Sequence, residues 1–105
     1  MHVQVVTYRL AGDISDPDFI EENREFAKMM AAVPGLLTKI WLKDPTGSTY
    51  GGVYLWQDRQ ACANFLAGDL WGGVTHDDTV IDLTSRDFTV NDELTKATQP
   101  GLKVL

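Results

Sequence analysis

The segment from Pro34 to Leu66 places the strongest constraint on what this chain can fold into. It opens with Pro34-Gly35, a pair that ends a helix and permits a sharp turn. Two strand-like segments follow, at 36 to 43 and 50 to 57, and turn-forming residues separate them at 44 to 48. The segment therefore predicts a β-hairpin. Asp58 can then cap a helix whose inner face carries Ala61, Cys62, Phe65 and Leu66.

A strand and a helix are expected before the hairpin. Residues 2 to 10 are rich in valine, threonine and tyrosine, which favours a strand. Ser15 or Asp16 can cap the helix that follows, and Pro17 has no N–H group to leave unpaired. A spacing of three or four residues then relates Phe19, Asn23, Phe26, Met30 and Val33, all of them apolar except Asn23. This spacing predicts a helix from about 17 to 32 with one face on a sheet.

The remaining third of the chain completes a familiar order of elements. Gly68 ends the second helix, 69 to 76 forms a loop or a short helical turn, and 79 to 90 predicts a last strand. Asn91 can cap a turn that leads into the C-terminal tail. The order β-α-β-β-α-β predicts an α+β fold of the ferredoxin-like type, an antiparallel sheet with helices on one face.

The length fits one domain spanning 1 to 105, and a domain this small gains stability from an interface between subunits. A second copy of the sheet would cover the face that the helices leave open, so we expect a homodimer. The tail at 91 to 105 has apolar residues but no obvious local core, so it could pack on the partner subunit.

Charge and composition exclude several classes of partner. Lys plus Arg total 9 against 15 Asp plus Glu, a net charge of −6, and no basic run interleaves with aromatic residues, so nucleic acid is not expected. The first residues lack a signal peptide pattern, and no apolar run reaches the roughly 20 residues needed to span a bilayer. With Cys62 as the single cysteine, no internal disulfide can form, and a cytoplasmic protein without a membrane partner is expected.

Three short patterns in the central segment point to a family. They are P-G-x-x-x-K-x-W from Pro34, G-G-x-Y-x-W-x-D from Gly51, and A-C-A-N-F-L from Ala61. Together they make the chain resemble the YdhR-type monooxygenase family of the dimeric α+β-barrel superfamily. The resemblance implies a homodimer with sheets packed face to face and a cleft between sheet and helices. It also implies monooxygenase activity without a metal or organic cofactor.

Aromatic residues are the candidate substrate-binding groups. Tyr54 and Trp56 share one face of their strand, and Val53 and Leu55 share the other. Tyr54, Trp56 and the nearby Trp71 could line a flat apolar pocket, or could fill the core and the subunit interface. Asn64, on the second helix, could donate a hydrogen bond to a substrate oxygen if it points into the cleft.

Two further residues are the catalytic candidates. His76 could act as a general base because imidazole titrates near neutral pH, although it could equally lie on the surface. Arg86 could stabilise a developing anion, or could pair with a surface carboxylate. His76-Asp77-Asp78 does not predict a metal site, since adjacent residues rarely converge on one ion. The chain has no glycine-rich nucleotide motif and no nucleophile elbow, so no cofactor is expected.

These expectations combine into one leading function. Without a redox cofactor, oxygen can react only if the deprotonated substrate itself donates an electron. The sequence therefore predicts a cofactor-independent monooxygenase acting on a small planar aromatic or quinone-forming substrate. The alternatives are a non-redox enzyme of the same fold, such as a cyclase or isomerase, and a dimeric small-molecule-binding protein without turnover.

Overall fold

The computed structural model describes residues 1–101, which form one four-stranded antiparallel sheet and four helices. The strand order is β2-β3-β1-β4, and the helices pack on one face of the sheet, so the ferredoxin-like prediction is confirmed. The end of the tail, at 102 to 105, lies outside the described residues. In chain order the elements are β1 (His2–Leu10), α1 (Asp16–Ala31), β2 (Leu36–Lys43), β3 (Thr49–Trp56), α2 (Arg59–Leu66), α3 (Asp69–Thr75), β4 (Val80–Thr89) and α4 (Asp92–Ala97).

Side-chain caps begin three of these helices: the sequence predicts those of α1 and α2, and at Asn91 it predicts a capped turn where the structure has the short helix α4. The Ser15 hydroxyl accepts a hydrogen bond from the backbone N–H of α1, the Asp58 carboxylate does the same for α2, and the Asn91 side chain does so for α4. Each cap satisfies a backbone donor that the helix itself cannot pair. No helix within residues 1–101 combines the length and the apolar character needed to cross a membrane.

The turn between α1 and β2 depends on Gly35. Its φ of +83° lies in the left-handed region, which glycine adopts without steric cost. A Cβ atom at this position would lie 2.4 Å from the Cβ of Ala61 on α2. The Gly35 carbonyl accepts a hydrogen bond from the Gln57 N–H at 2.8 Å. The turn is therefore held against the start of α2 as well as against β3.

The register of the sheet decides which side chains meet the helices. β1 pairs with β3 so that Gln4 lies opposite Tyr54 and Val5 lies opposite Val53. Tyr54 and Trp56 are buried in a cluster with residues of α2, so they point toward the helices. Because side chains alternate along a strand, Val53 and Leu55 point away. The predicted separation of these two sets is confirmed. We call the side away from the helices the open face.

The core lies between the sheet and the helices. Trp56 is fully buried at its centre, and its indole N–H donates to the Gln4 Oε1 atom at 3.2 Å, so this buried polar pair is satisfied. The buried cluster comprises Val6, Met30, Tyr54, Trp56, Ala61, Cys62, Phe65 and Trp71.

The open face carries apolar side chains that remain in contact with solvent. Ile40 is 51% exposed, Leu42 is 37% exposed, and Phe88 on β4 is 44% exposed. Val5 and Val53, at the centre of the same face, are half-buried. A contiguous patch of this kind on a small protein is typical of an interaction surface.

Replacing Gly51 by alanine should destabilise the fold, because the new Cβ would lie 2.0 Å from the backbone oxygen of Val6. We expect Gly51→Ala to lower the free energy of unfolding by about 3 kcal/mol, measured by urea denaturation. Gly72→Ala is the control, since nothing lies within 4 Å of its added Cβ and alanine favours a helix by about 1 kcal/mol. Equal stability of the Gly51→Ala and wild-type proteins would contradict this account.

Candidate functional site

A cavity of about 370 Å³ lies between α1, the helix-facing side of the sheet, and α3. The sheet contributes its floor, α1 forms one wall, and α3 forms the other. Its principal lining residues are Tyr8, Phe26, Met29, Lys39, Trp41, Tyr54, Leu70, Gly73 and Val74. This position matches the cleft between sheet and helices that the family resemblance implies.

Lys39 is the only lysine among these lining residues, and its ammonium group lies among aromatic rings. Its Nζ atom lies 3.5 Å from the ring centroid of Trp41, 4.7 Å from that of Tyr54 and 5.0 Å from that of Phe26. Burial lowers the pKa of Lys39 to about 8. The ring faces act in the opposite direction, because their quadrupoles attract the charged form. The result is a cation held in a largely apolar setting.

Gly52 provides the space that this lysine occupies. A Cβ atom at Gly52 would lie 2.9 Å from the Cε atom of Lys39 and 3.1 Å from a ring carbon of Tyr54. The β1–β3 register continues without a shift through Gly51 and Gly52. The two glycines therefore serve close packing rather than a bulge: Gly51 meets the backbone of β1, and Gly52 meets the side chains of the cavity.

Two tyrosines give the cavity neutral hydroxyl groups. Burial raises the pKa of Tyr54, and the neighbouring Tyr8 adds to that increase. Burial also raises the pKa of Tyr8, with smaller effects from Tyr50 and Asp77. Both phenols are therefore protonated at neutral pH and can donate hydrogen bonds to a ligand oxygen.

Carboxylates surround the entrance. Glu22 on α1, Asp69 on α3 and Asp77 after α3 all line the cavity and are exposed. Hydrogen bonds from the Thr79 hydroxyl and backbone N–H hold the pKa of Asp77 below its usual value. The rim is thus negatively charged at neutral pH, whereas the interior carries the Lys39 cation.

Of the substrate-binding residues predicted from sequence, Tyr54 lines this cavity. Trp56 and Trp71 lie in the core, where both pack against Phe65 at centroid distances of 5.1 and 5.8 Å. Asn64 is exposed on α2, accepts a hydrogen bond from Gln60 at 2.9 Å, and lines a smaller hollow of about 240 Å³ beside the end of α1. The binding roles of Trp56, Trp71 and Asn64 stay predictions.

The two catalytic candidates lie apart from each other. His76 is exposed at the C-terminal end of α3, where its Nδ1 atom donates to the Gly72 carbonyl oxygen at 2.8 Å, and its Nε2 atom has no hydrogen-bond partner within residues 1–101. Arg86 pairs with Val5 in the sheet, which places it on the open face, with its guanidinium over the Phe88 ring at 5.2 Å. Neither lines the cavity, and their catalytic roles stay predictions.

A second polar cluster lies at the other end of the helix-facing side. The ligand atoms of His2, Cys62 and Asp87 lie within 4.8 Å of one another, and these residue types could hold a metal ion. His2 Nε2 is already hydrogen-bonded to the Asp87 carboxylate. Burial, with a contribution from Asp87, raises the pKa of the Cys62 thiol to about 11. The thiolate that a metal requires is therefore disfavoured at neutral pH.

Sequence reasoning missed Lys39, the residue that sets the charge of the cavity. The pattern P-G-x-x-x-K-x-W contains it, and alternation along β2 places it on the same face as Trp41. A lysine on the same strand face as a tryptophan was the sequence signal that could have identified Lys39 as a cavity residue. The contribution of Phe26 could not be read in the same way, because it comes from a distant helix.

Comparison with known proteins gives a family for most of the chain. The family model described as "Putative mono-oxygenase ydhR" matches residues 5–100. No curated protein sequence matches the chain significantly.

Solved structures of related architecture cover most of this chain at low identity. SnoaB, a cofactor-independent oxygenase from Streptomyces nogalater, is 18% identical with a TM-score of 0.65, over 85% of this chain and 91% of that one. The ActVA-Orf6 monooxygenase of Streptomyces coelicolor, in complex with nanaomycin D, is 19% identical with a TM-score of 0.64, over 85% and 86%. The haem-degrader MhuD of Mycobacterium tuberculosis, with two haems bound in its active site, is 17% identical with a TM-score of 0.66, over 87% and 96%. At these identities the likeness shows the fold alone.

The titration of Lys39 should be separable from that of other lysines by carbon NMR of the lysine Cε atoms. We expect a midpoint near pH 8 for Lys39, assigned through Lys39→Met, whereas Lys43 titrates above its ordinary value because Asp16 accepts its hydrogen bond. A midpoint for Lys39 at the ordinary lysine pKa would contradict its desolvation.

The same shift fixes the sign of a pH effect on stability. Between pH 8 and about 10 the unfolded chain keeps Lys39 protonated and the folded chain does not, so its contribution to stability rises with pH. This rise should be absent from Lys39→Met in urea denaturation across the same pH range.

Proposed function

The chain belongs to the ydhR mono-oxygenase family, and from this premise we propose that it is a cofactor-independent monooxygenase of small planar hydroxyaromatic or quinone-forming compounds. Family membership supports the reaction class. The description of SnoaB as a cofactor-independent oxygenase, and the nanaomycin D bound to ActVA-Orf6, are consistent with this choice of mechanism and ligand.

One observation carries the proposal for this chain: the ring-lined cavity between α1, the sheet and α3. Its volume of about 370 Å³ falls in the range typical of small-molecule sites. The rings of Phe26, Trp41 and Tyr54 offer apolar surfaces to a flat ligand, and the hydroxyls of Tyr8 and Tyr54 offer hydrogen bonds to its oxygens. A planar aromatic carrying oxygen substituents suits both features.

The chemistry then belongs mainly to the substrate. Loss of a proton from an anthrone-like compound gives an electron-rich anion, which transfers one electron to O₂. Recombination of the resulting radical with superoxide forms a peroxide anion, which takes back one proton to give a hydroperoxide. Loss of water from the hydroperoxide leaves a new carbonyl group. One oxygen atom enters the product and the other leaves as water. The protein is proposed to bind the substrate, exclude bulk water and stabilise the anion.

The predicted roles of His76 and Arg86 remain part of the proposal. His76 follows directly after α3, the helix that forms one wall of the cavity, and its Nε2 atom has no hydrogen-bond partner in the described part of the chain. Arg86 would lie at the subunit interface if the open faces of two protomers meet. Alanine substitution of each residue tests whether oxygen uptake depends on it.

We also propose that the protein is a homodimer through the open face. That face has apolar residues on β2, β3, β1 and β4, and its central residues lose their remaining contact with water only when another surface packs on it. A second copy presents the same apolar surface, which suits a two-fold interface. A cytoplasmic location, expected from the sequence, belongs to the proposal too.

Haem is bound by one of the similar structures, but the described residues here do not suit a histidine-ligated haem in the cavity. His2 is 3% exposed and hydrogen-bonded to Asp87, so it is not available as an axial ligand. His76 does not line the cavity. No step of the proposed reaction therefore uses haem.

Oxygen uptake with a panel of anthrone-like and hydroquinone substrates tests the function. We expect uptake above the uncatalysed rate, and we expect Gly73→Leu to reduce it at least about tenfold, because Gly73 lines the cavity. Gly72→Leu is the matched control, since Gly72 lies on the same helix, does not line the cavity and also has open space around an added Cβ. Turnover without oxygen uptake would favour a cyclase or isomerase, and a ligand recovered unchanged would favour a binding protein.

Analytical ultracentrifugation tests the dimer. The wild-type protein should sediment at twice the monomer mass of 11.7 kDa, and Ile40→Glu should shift it toward the monomer by burying a charge in the open face. Ile20→Glu is the control, because Ile20 is similarly exposed, at 56%, but lies on α1. A monomeric wild-type protein at micromolar concentration would refute the dimer.

A further inference from the structure

The Lys39 ammonium has aromatic neighbours but no anionic partner among the described residues. Within residues 1–101, every ion pair involves other groups, and no carboxylate lies within salt-bridge distance of Lys39 Nζ. A partly buried cation without a counter-ion costs free energy, of which the three ring faces recover only part. An anionic ligand oxygen would complete the site.

Two features of the fold hold this cation in place. Lys39 pairs with Tyr54 across the β2–β3 ladder, so its backbone position is fixed by the sheet. The missing side chain at Gly52 gives the lysine stem its space above the sheet. The ammonium is therefore positioned before a ligand arrives, which is the property of an electrostatic subsite.

The rim has the opposite charge. Glu22, Asp69 and Asp77 line the cavity and repel ligands that arrive with a permanent negative charge. A neutral hydroxyaromatic passes this rim without repulsion, and its hydroxyl can become negative only beside Lys39. The distribution of charge thus selects ligands that ionise after they enter.

We propose that the Lys39 ammonium is the subsite for the oxygen of a neutral hydroxyaromatic ligand, which it holds as the phenolate or enolate anion. For a phenol or an enol the only bond that breaks is O–H, and for an anthrone in its keto form it is an acidic C–H bond; in each case the proton leaves to bulk water. The inference rests on the proposed function for the type of ligand, and it restricts the substrate class to hydroxyaromatics without a carboxylate. A cation a few ångströms away lowers the pKa of such a hydroxyl by about one to three units.

A chromophoric phenol that cannot undergo the oxygenation tests this subsite separately from turnover. The probe is 4-nitrophenol, whose phenolate absorbs visible light, titrated with excess protein over a range of pH. We expect the pKa of the bound probe to fall by about one to three units in the wild-type protein. Lys39→Met should abolish the shift, and Lys39→Arg should retain part of it, because arginine keeps the positive charge. Lys43→Met is the control, since Lys43 lies on the same strand but pairs with Asp16 outside the cavity.

A measurement on the unaltered protein gives a second test. By reciprocity, ionisation of the bound probe should raise the NMR titration midpoint of Lys39, by about the number of units that separates the bound-probe pKa in the wild-type protein from that in Lys39→Met. Absence of binding at millimolar 4-nitrophenol, an unshifted bound probe, or an equal shift in Lys39→Met would overturn the inference. A Lys39-dependent probe shift without oxygen uptake by any substrate would support the subsite and contradict the oxygenase proposal. Oxygen uptake that survives in Lys39→Met, with no probe shift in the wild-type protein, would support the oxygenase proposal and contradict the subsite.

Discussion

The pairing of β1 with β3 is the constraint on which the rest of this structure depends. Side chains alternate between the two faces of a strand, so a slip of one residue would move Tyr54 and Trp56 to the open face and bring Val53 and Leu55 against the helices. The buried hydrogen bond between Trp56 and Gln4 forms only in the observed register. The core, the floor of the cavity and the apolar open face all follow from this single alignment.

The interior and the entrance of the cavity differ in charge. Its interior is apolar and holds one cation, while its entrance is acidic and open to solvent. Charges at the entrance are screened by water and salt, but the interaction of a ligand oxygen with Lys39 takes place where the effective dielectric constant is lower. The interior charge therefore has the larger effect on a bound ligand, and the rim mainly affects which ligands enter.

Local chemistry in the sequence was sufficient to predict a helix start at Ser15 or Asp16, a helix start at Asp58, a capped turn at Asn91 and the break at Pro34. Each of these depends on contacts a few residues away. The contents of the cavity depend on tertiary packing instead. Along β4 apolar residues lie on both faces of the sheet: Leu83 packs against the core, whereas Phe88 lies on the open face. An irregularity near Asp82, where φ is +54°, separates two stretches of regular pairing, so the face of Arg86 could not be derived from spacing.

Gly52 and Lys39 occupy one shared volume, and this has a consequence for how the fold can diversify. A side chain at position 52 requires either that the flexible stem of Lys39 moves away or that residue 39 becomes shorter, and a shorter residue at 39 removes the cation. The two positions should consequently covary among descendants of this chain. A lineage with a larger residue at 52 and a shorter, uncharged one at 39 would keep the same fold with an uncharged cavity interior. Such a cavity would suit ligands that do not ionise.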